Sequence, residues 1–126
     1  MRLLVWIAAG GAVGAVARYF VMSAVGRLWG SGFPWGTLTA NVVGSFVLGV
    51  LVEVLALKWS AAQGMRAFLV VGMLGAFTTF STFSLDVATL YERGALVSAA
   101  AYMLASLVLA VGALFVGLAL ARMALT

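Results

Sequence analysis

The sequence predicts an all-α integral membrane protein of four transmembrane helices, on the strength of its composition, its hydropathy pattern and its links. Hydrophobic residues fill 66% of the 126 positions and charged residues only 8%. Soluble domains average about 45–50% apolar and about 25% charged. A water-soluble core this small cannot hide so much apolar surface, so the solvent for most of the chain must be lipid. The apolar residues fall into four runs, each near the ~20 residues that cross a bilayer, with short polar links between them.

The first span is placed at 3–25, interrupted by one charge, Arg18. Its start, Met1-Arg2-Leu3-Leu4-Val5-Trp6, resembles a secretory signal. Three further hydrophobic runs follow and no polar domain, so it is read as a span. A link at 26–33 ends at Pro34, the single proline. Proline suits the opening of a helix, where its missing N–H would be unpaired anyway. The second span is placed at 34–57 and a polar link at 58–64 follows, with Trp59 as an interfacial anchor. The third span covers 66–91, Glu92-Arg93-Gly94 forms a tight link, and the fourth span covers 95–122. Links this short make neighbouring helices antiparallel, and the whole of 1–126 reads as one domain.

The sequence contains no Cys and no His, which removes disulfides, thiolate catalysis, zinc sites and histidine proton relays. The net charge of +4 comes from seven scattered Lys and Arg with no basic cluster. Nucleic acid is therefore not an expected partner; these residues suit helix ends near headgroups. They are almost balanced across the membrane. Arg2, Lys58, Arg66 and Arg122 fall on one side, Arg27, Arg93 and the deeper Arg18 on the other. Orientation follows the excess of Lys and Arg, and so slight an excess predicts insertion both ways. Four helices cannot enclose a polar route alone, so an oligomer is expected. Gly10, Gly11, Gly14, Gly44, Gly49, Gly112 and Gly117 provide the small residues that close helix packing in lipid requires.

The third span is unlike the others. It reads Gly72-Met73-Leu74-Gly75-Ala76-Phe77-Thr78-Thr79-Phe80-Ser81-Thr82-Phe83-Ser84, with five hydroxyls within seven residues. Irregular backbone at this depth survives only inside protein or beside water. Two readings stand: a helix broken at about 75–79, or an intact helix whose hydroxyls bond back one turn. A break exposes helix ends, and N–H groups attract anions while carbonyls hold cations. Phe77, Phe80 and Phe83 lie three apart near one helical face, as a packing stripe or as rings turned to an ion. Asn41, deep in the second span, is interhelical glue or a donor in a pathway. Arg18 snorkels to the surface or supplies positive potential in a vestibule. Tyr102 and Ser106 put two hydroxyls on one face of the fourth span. The inventory inside the membrane is mainly donors, which suits a small anion better than a metal cation.

The runs Gly11-Ala12-Val13-Gly14-Ala15-Val16-Ala17-Arg18-Tyr19, Gly36-Thr37-Leu38-Thr39-Ala40-Asn41 and Gly75-Ala76-Phe77-Thr78-Thr79-Phe80-Ser81-Thr82-Phe83-Ser84 resemble the signatures of the Fluc (CrcB) fluoride channels of microorganisms. The resemblance covers essentially the whole chain and is most specific in the Thr78–Phe83 string. It implies an antiparallel, dual-topology homodimer in the cell membrane, with two fluoride pores and a break in the third helix. It implies a structural sodium ion held by the backbone carbonyls of Gly75 and Thr78 from each subunit. Asn41 would line the pore, Phe80 and Phe83 would present ring edges to fluoride, and Ser81, Thr82, Tyr102 and Ser106 would form a polar track. Ala110, one turn after Ser106, departs from relatives that continue with a hydroxyl. The function implied is passive, electrogenic export of cytoplasmic fluoride and so fluoride resistance.

Other functions fit less well. A proton-coupled exporter of cationic compounds needs a carboxylate deep in the membrane, and the first span offers only Arg18. A non-transporting membrane assembly protein gives no reason to concentrate hydroxyls, phenylalanines and Asn41. An enzyme lacks any visible nucleophile–base pair.

Overall fold

The computed structural model describes residues 1–30 and 32–126; Ser31, in the first link, lies outside the described residues. Among the described residues, four helices are long and apolar enough to cross a membrane: Arg2–Trp29, Trp35–Leu57, Gln63–Glu92 and Leu96–Leu125. The first helix continues one turn past the expected end at 25. Gly26 does not stop it, because its carbonyl accepts the Gly30 N–H at 2.9 Å, and the chain leaves the helix at Gly30 with φ 82°. Pro34 stands just outside the second helix at φ −79°, its carbonyl accepting the Leu38 N–H at 3.2 Å.

Small residues set the packing. Gly10 and Gly14, one turn apart, press on the backbone of Phe68 and Met73, so the first span lies directly on the third. Gly49 lies against the Leu114 carbonyl and Gly117 against the Phe46 carbonyl, so the second and fourth spans meet backbone to backbone. A methyl at any of these positions would collide with a main chain. This is the close approach that association in lipid uses in place of a hydrophobic driving force. At one end of the second–fourth contact, Arg122 pairs with Glu53 at 2.8 Å.

Two stretches widen from α to π geometry, Ala67–Leu74 in the third span and Ser106–Ala110 in the fourth. Such bulges are frequent at functional sites. The largest buried cluster is Leu38, Leu90, Ala99 and Tyr102, at one end of the bundle. Elsewhere the spans leave most of their apolar side chains uncovered by the chain itself, Val97 and Phe80 among them.

Candidate functional site

The site begins where the third span changes conformation. Helical dihedrals run through Gly75–Phe77, and Thr78 (φ −86°, ψ 156°) and Thr79 (φ −152°, ψ 127°) are extended. The helix resumes at Phe80–Glu92. β-Branched threonine suits this extended backbone. Thr78 still belongs to the segment before it, since its N–H and its hydroxyl both donate to the Leu74 carbonyl, at 3.1 and 3.0 Å. Thr79 opens the segment after it. Its Oγ1 accepts the Thr82 N–H at 3.2 Å as an N-cap, and it lies 3.3 Å from the hydroxyls of Ser81 and Thr82.

Asn41 holds this junction from the second span. Its Oδ1 accepts the Thr79 N–H at 2.8 Å and its Nδ2 donates to the Thr79 carbonyl at 3.1 Å. The side-chain amide thus takes the place of a neighbouring strand and satisfies both polar groups of one residue. In a continuous helix the Thr79 N–H would reach the Gly75 carbonyl. Diverting it to Asn41 leaves the Gly75 carbonyl without that donor, as at any helix C-terminus. Gly44, less than one turn beyond Asn41, sits against the side chains of Thr78 and Phe77, where a Cβ would clash.

Asn41, Thr78, Thr79, Phe80, Phe83 and Ser106 share one cavity of about 330 Å³, with Ser45 and Ala110 also on its walls. The Phe80 and Phe83 ring centroids are 5.4 Å apart at 44°, and the Phe83 ring lies 5.1 Å from that of Tyr102. Phe80 is 78% exposed in the single chain. Ser106 heads the π-helical turn and is buried; among the described residues its Oγ is the one buried side-chain oxygen without a hydrogen-bond partner. An unpaired buried hydroxyl costs about 1–3 kcal/mol.

The remaining residues singled out by the sequence lie around this centre. Ser81 and Thr82 form the first turn after the Thr79 cap. Tyr102 is fully buried behind Phe83 and donates its hydroxyl to Asp86 Oδ2 at 3.0 Å. Gly75 is helical and exposed, one turn before Thr79. Arg18 lies on the first span and is not among the residues of the cavity wall. Sequence reasoning did not single out Ser45, nor the Asp86 partner of Tyr102. Ser45 had a legible signal, since it follows Asn41 by four residues and so shares its helical face. Among the described residues no cluster of three acidic, His or Cys side chains could hold a metal.

Comparison with known proteins gives the chain a family. The family described as CrcB-like protein, Camphor Resistance (CrcB), matches residues 5–118. The chain belongs to the CrcB family. It is 56% identical over 124 residues to a protein of Rhodospirillum centenum named fluoride-specific ion channel FluC, covering 98% of each chain. A protein of the same name from Agrobacterium fabrum is 57% identical over 116 residues, covering 92% of this chain and 93% of its own. Another, from a Chelativorans strain, is 56% identical over 122 residues. As a CrcB protein with four membrane-crossing helices, the chain is a multi-pass membrane protein.

Proposed function

We propose that this CrcB protein is a fluoride-specific channel that exports cytoplasmic fluoride passively across the cell membrane. The observation that carries the reading is the cavity where Asn41, Ser106, Phe80 and Phe83 meet beside the extended Thr78–Thr79 pair. The relatives matched along nearly their whole length, each named a fluoride-specific ion channel, supply the identity of the ion.

Fluoride holds its water strongly, so a pore must replace that water with several donors at once. Ser106 Oγ has no other partner, and Asn41 Nδ2 retains one N–H beyond its bond to Thr79. Aromatic ring edges are positive, and Phe80 and Phe83 line the same cavity, where their edges would face the ion. Ser81 and Thr82 are not on the cavity wall, but beside the Thr79 hydroxyl they would extend the hydroxyl track past the junction, and Tyr102 steadies Phe83 from behind. Arg18 adds positive potential at a mouth of the route. Neutral HF crosses a bilayer, dissociates in a less acidic cytoplasm and leaves the anion trapped. An inside-negative potential, worth about 2.3 kcal/mol per charge per 100 mV, then drives fluoride out with no coupled reaction.

The assembly in this reading is an antiparallel homodimer in which both insertions are used. The open cavity, with the exposed Phe80 on its wall, calls for a second subunit to close it. The nearly balanced Lys and Arg favour dual topology. The extended pair is the break of the third helix. Its backbone fits a hard cation, since the Gly75 carbonyl lacks its helical donor and the Thr78 carbonyl lies between the two helical segments. These carbonyls would hold a structural sodium ion at the dimer centre, where its charge would offset the two helix C-termini.

The deciding experiment is fluoride release from liposomes containing the purified protein, followed with a fluoride electrode. Release should be fast, should require a potassium ionophore to clamp charge, and should not extend to chloride. Release that depends on a proton gradient and ignores the ionophore would overturn the channel reading.

A further inference from the structure

The walls of the central cavity are not polar to the same depth on every side. The fourth span contributes Ser106 and then, one turn on, Ala110; the second contributes Asn41 and then, one turn on, Ser45. The two helices run parallel, with Gly49 packed between Leu114 and Leu118, Gly117 between Phe46 and Val50, and Glu53 paired with Arg122 further along in the same direction. Ser45 and Ala110 therefore both lie on the cavity wall one turn beyond Asn41 and Ser106, toward the same end.

An anion that has left Asn41 and Ser106 meets a methyl group on the fourth span. A strongly hydrated ion cannot cross that level among apolar side chains without a large desolvation cost. Among the described residues that the second and fourth spans place on the cavity wall, Ser45 carries the one hydroxyl past Asn41 and Ser106. Thr78, Ser84 and Thr89 each donate their hydroxyl to the carbonyl one turn earlier. Among the described residues no such bond ties Ser45, which is half-buried on the cavity wall.

We infer that Ser45 is a fluoride-contacting residue, and that its hydroxyl on the second span does the work that a hydroxyl at position 110 would do on the fourth. This rests on the fluoride-channel reading. The donor track thereby changes helix, from Ser106 on one wall to Ser45 on the other.

The test compares fluoride release from liposomes carrying the parent, Ser45→Ala, and Ser45→Ala combined with Ala110→Ser. Ser45→Ala should slow release about tenfold, the worth of one hydrogen bond. Adding Ala110→Ser should return the rate to within about twofold of the parent. A packing role for Ser45 would not be restored from another helix. Should Ser45→Ala fail to elute as the parent does on gel filtration, the isosteric pair Ser45→Thr and Ser45→Val asks the same question. Thr should then conduct and Val should not. Parent-like release by Ser45→Ala, no recovery on adding Ala110→Ser, or equal rates for Thr and Val would each overturn the inference while the parent still releases fluoride. A parent that releases none would remove the channel reading and this inference with it.

Discussion

Replacing Asn41 by Leu should loosen the third span more than it disturbs the second. Leucine is similar in volume and a better helix former, so the helix at Trp35–Leu57 should persist. What disappears is the pair of bonds to Thr79, at 2.8 and 3.1 Å. Each such bond contributes about 1 kcal/mol net, and a polar group left buried and unpaired costs about 1–3 kcal/mol. Within membranes interhelical bonds average nearer 0.6 kcal/mol, because the partners find substitutes. Two backbone groups left unpaired at about 1–3 kcal/mol each give an expected loss of about 2–6 kcal/mol, toward the lower end where substitutes are found. The assay is reversible unfolding in mixed detergent micelles, joined to hydrogen exchange read at the Thr79 amide. That amide should exchange much faster in Asn41→Leu, while amides of the second helix stay protected. Asn41→Asp should fall between, since it keeps the acceptor for the Thr79 N–H and loses the donor to its carbonyl. A Leu variant within about 0.5 kcal/mol of the parent, with Thr79 still protected, would refute the clamp.

Two further outcomes follow from the proposed channel. Phe80→Ile and Phe83→Ile keep bulk and hydrophobicity but remove the positive ring edge, and each should cut fluoride release about tenfold or more, as expected for an interaction worth over about 1.4 kcal/mol. The variants should elute at the parent position on gel filtration, and parent-like release by both would reduce the rings to packing. Reporters fused to the C-terminus should be found on both sides of the membrane, and two or three Lys added to one link should force a single orientation. A single orientation of the unaltered chain would contradict dual insertion.

The four spans were legible because each is a long apolar run bounded by polar or glycine-rich links, and lipid leaves few alternatives. Their ends were less so. Gly26 looked like a stop, yet the helix continued to Trp29 because its carbonyl found the Gly30 N–H. The sequence singled out the stretch 75–79 as a whole. In the structure Gly75 is helical, and the extended residues are the two threonines after it. The pattern Thr79 to Thr82 was a readable capping signal. The partner of that junction was not readable. Asn41 and Thr79 are 38 residues apart, and nothing local in either segment says that one amide will close on the other. The π-helical turns at Ala67–Leu74 and Ser106–Ala110 also have no mark in the sequence. Ser45 was overlooked for another reason. One serine in an apolar helix ordinarily bonds to its own backbone, so its place on the helical face of Asn41, four residues away, carried little weight until the fold put both on one cavity.

The Asn41–Thr79 contact joins the two ionic halves of the proposal through a single N–H. Left to the helix, the Thr79 N–H would close on Gly75 and its carbonyl would be occupied. Drawn to Asn41, it leaves that carbonyl open to a cation and sets Thr79 to cap the next helix, which fixes the direction in which Phe80 and Phe83 leave the junction. In the proposed channel, one residue of the second span would thereby shape a carbonyl cradle on one side and an aromatic wall on the other. The two roles are separable by experiment. An Asn41 variant that lost only a pore donor would release fluoride slowly yet keep its sodium-dependent stability. An Asn41 variant that lost the junction should lose both together, because the carbonyls and the rings take their positions from the same extended pair.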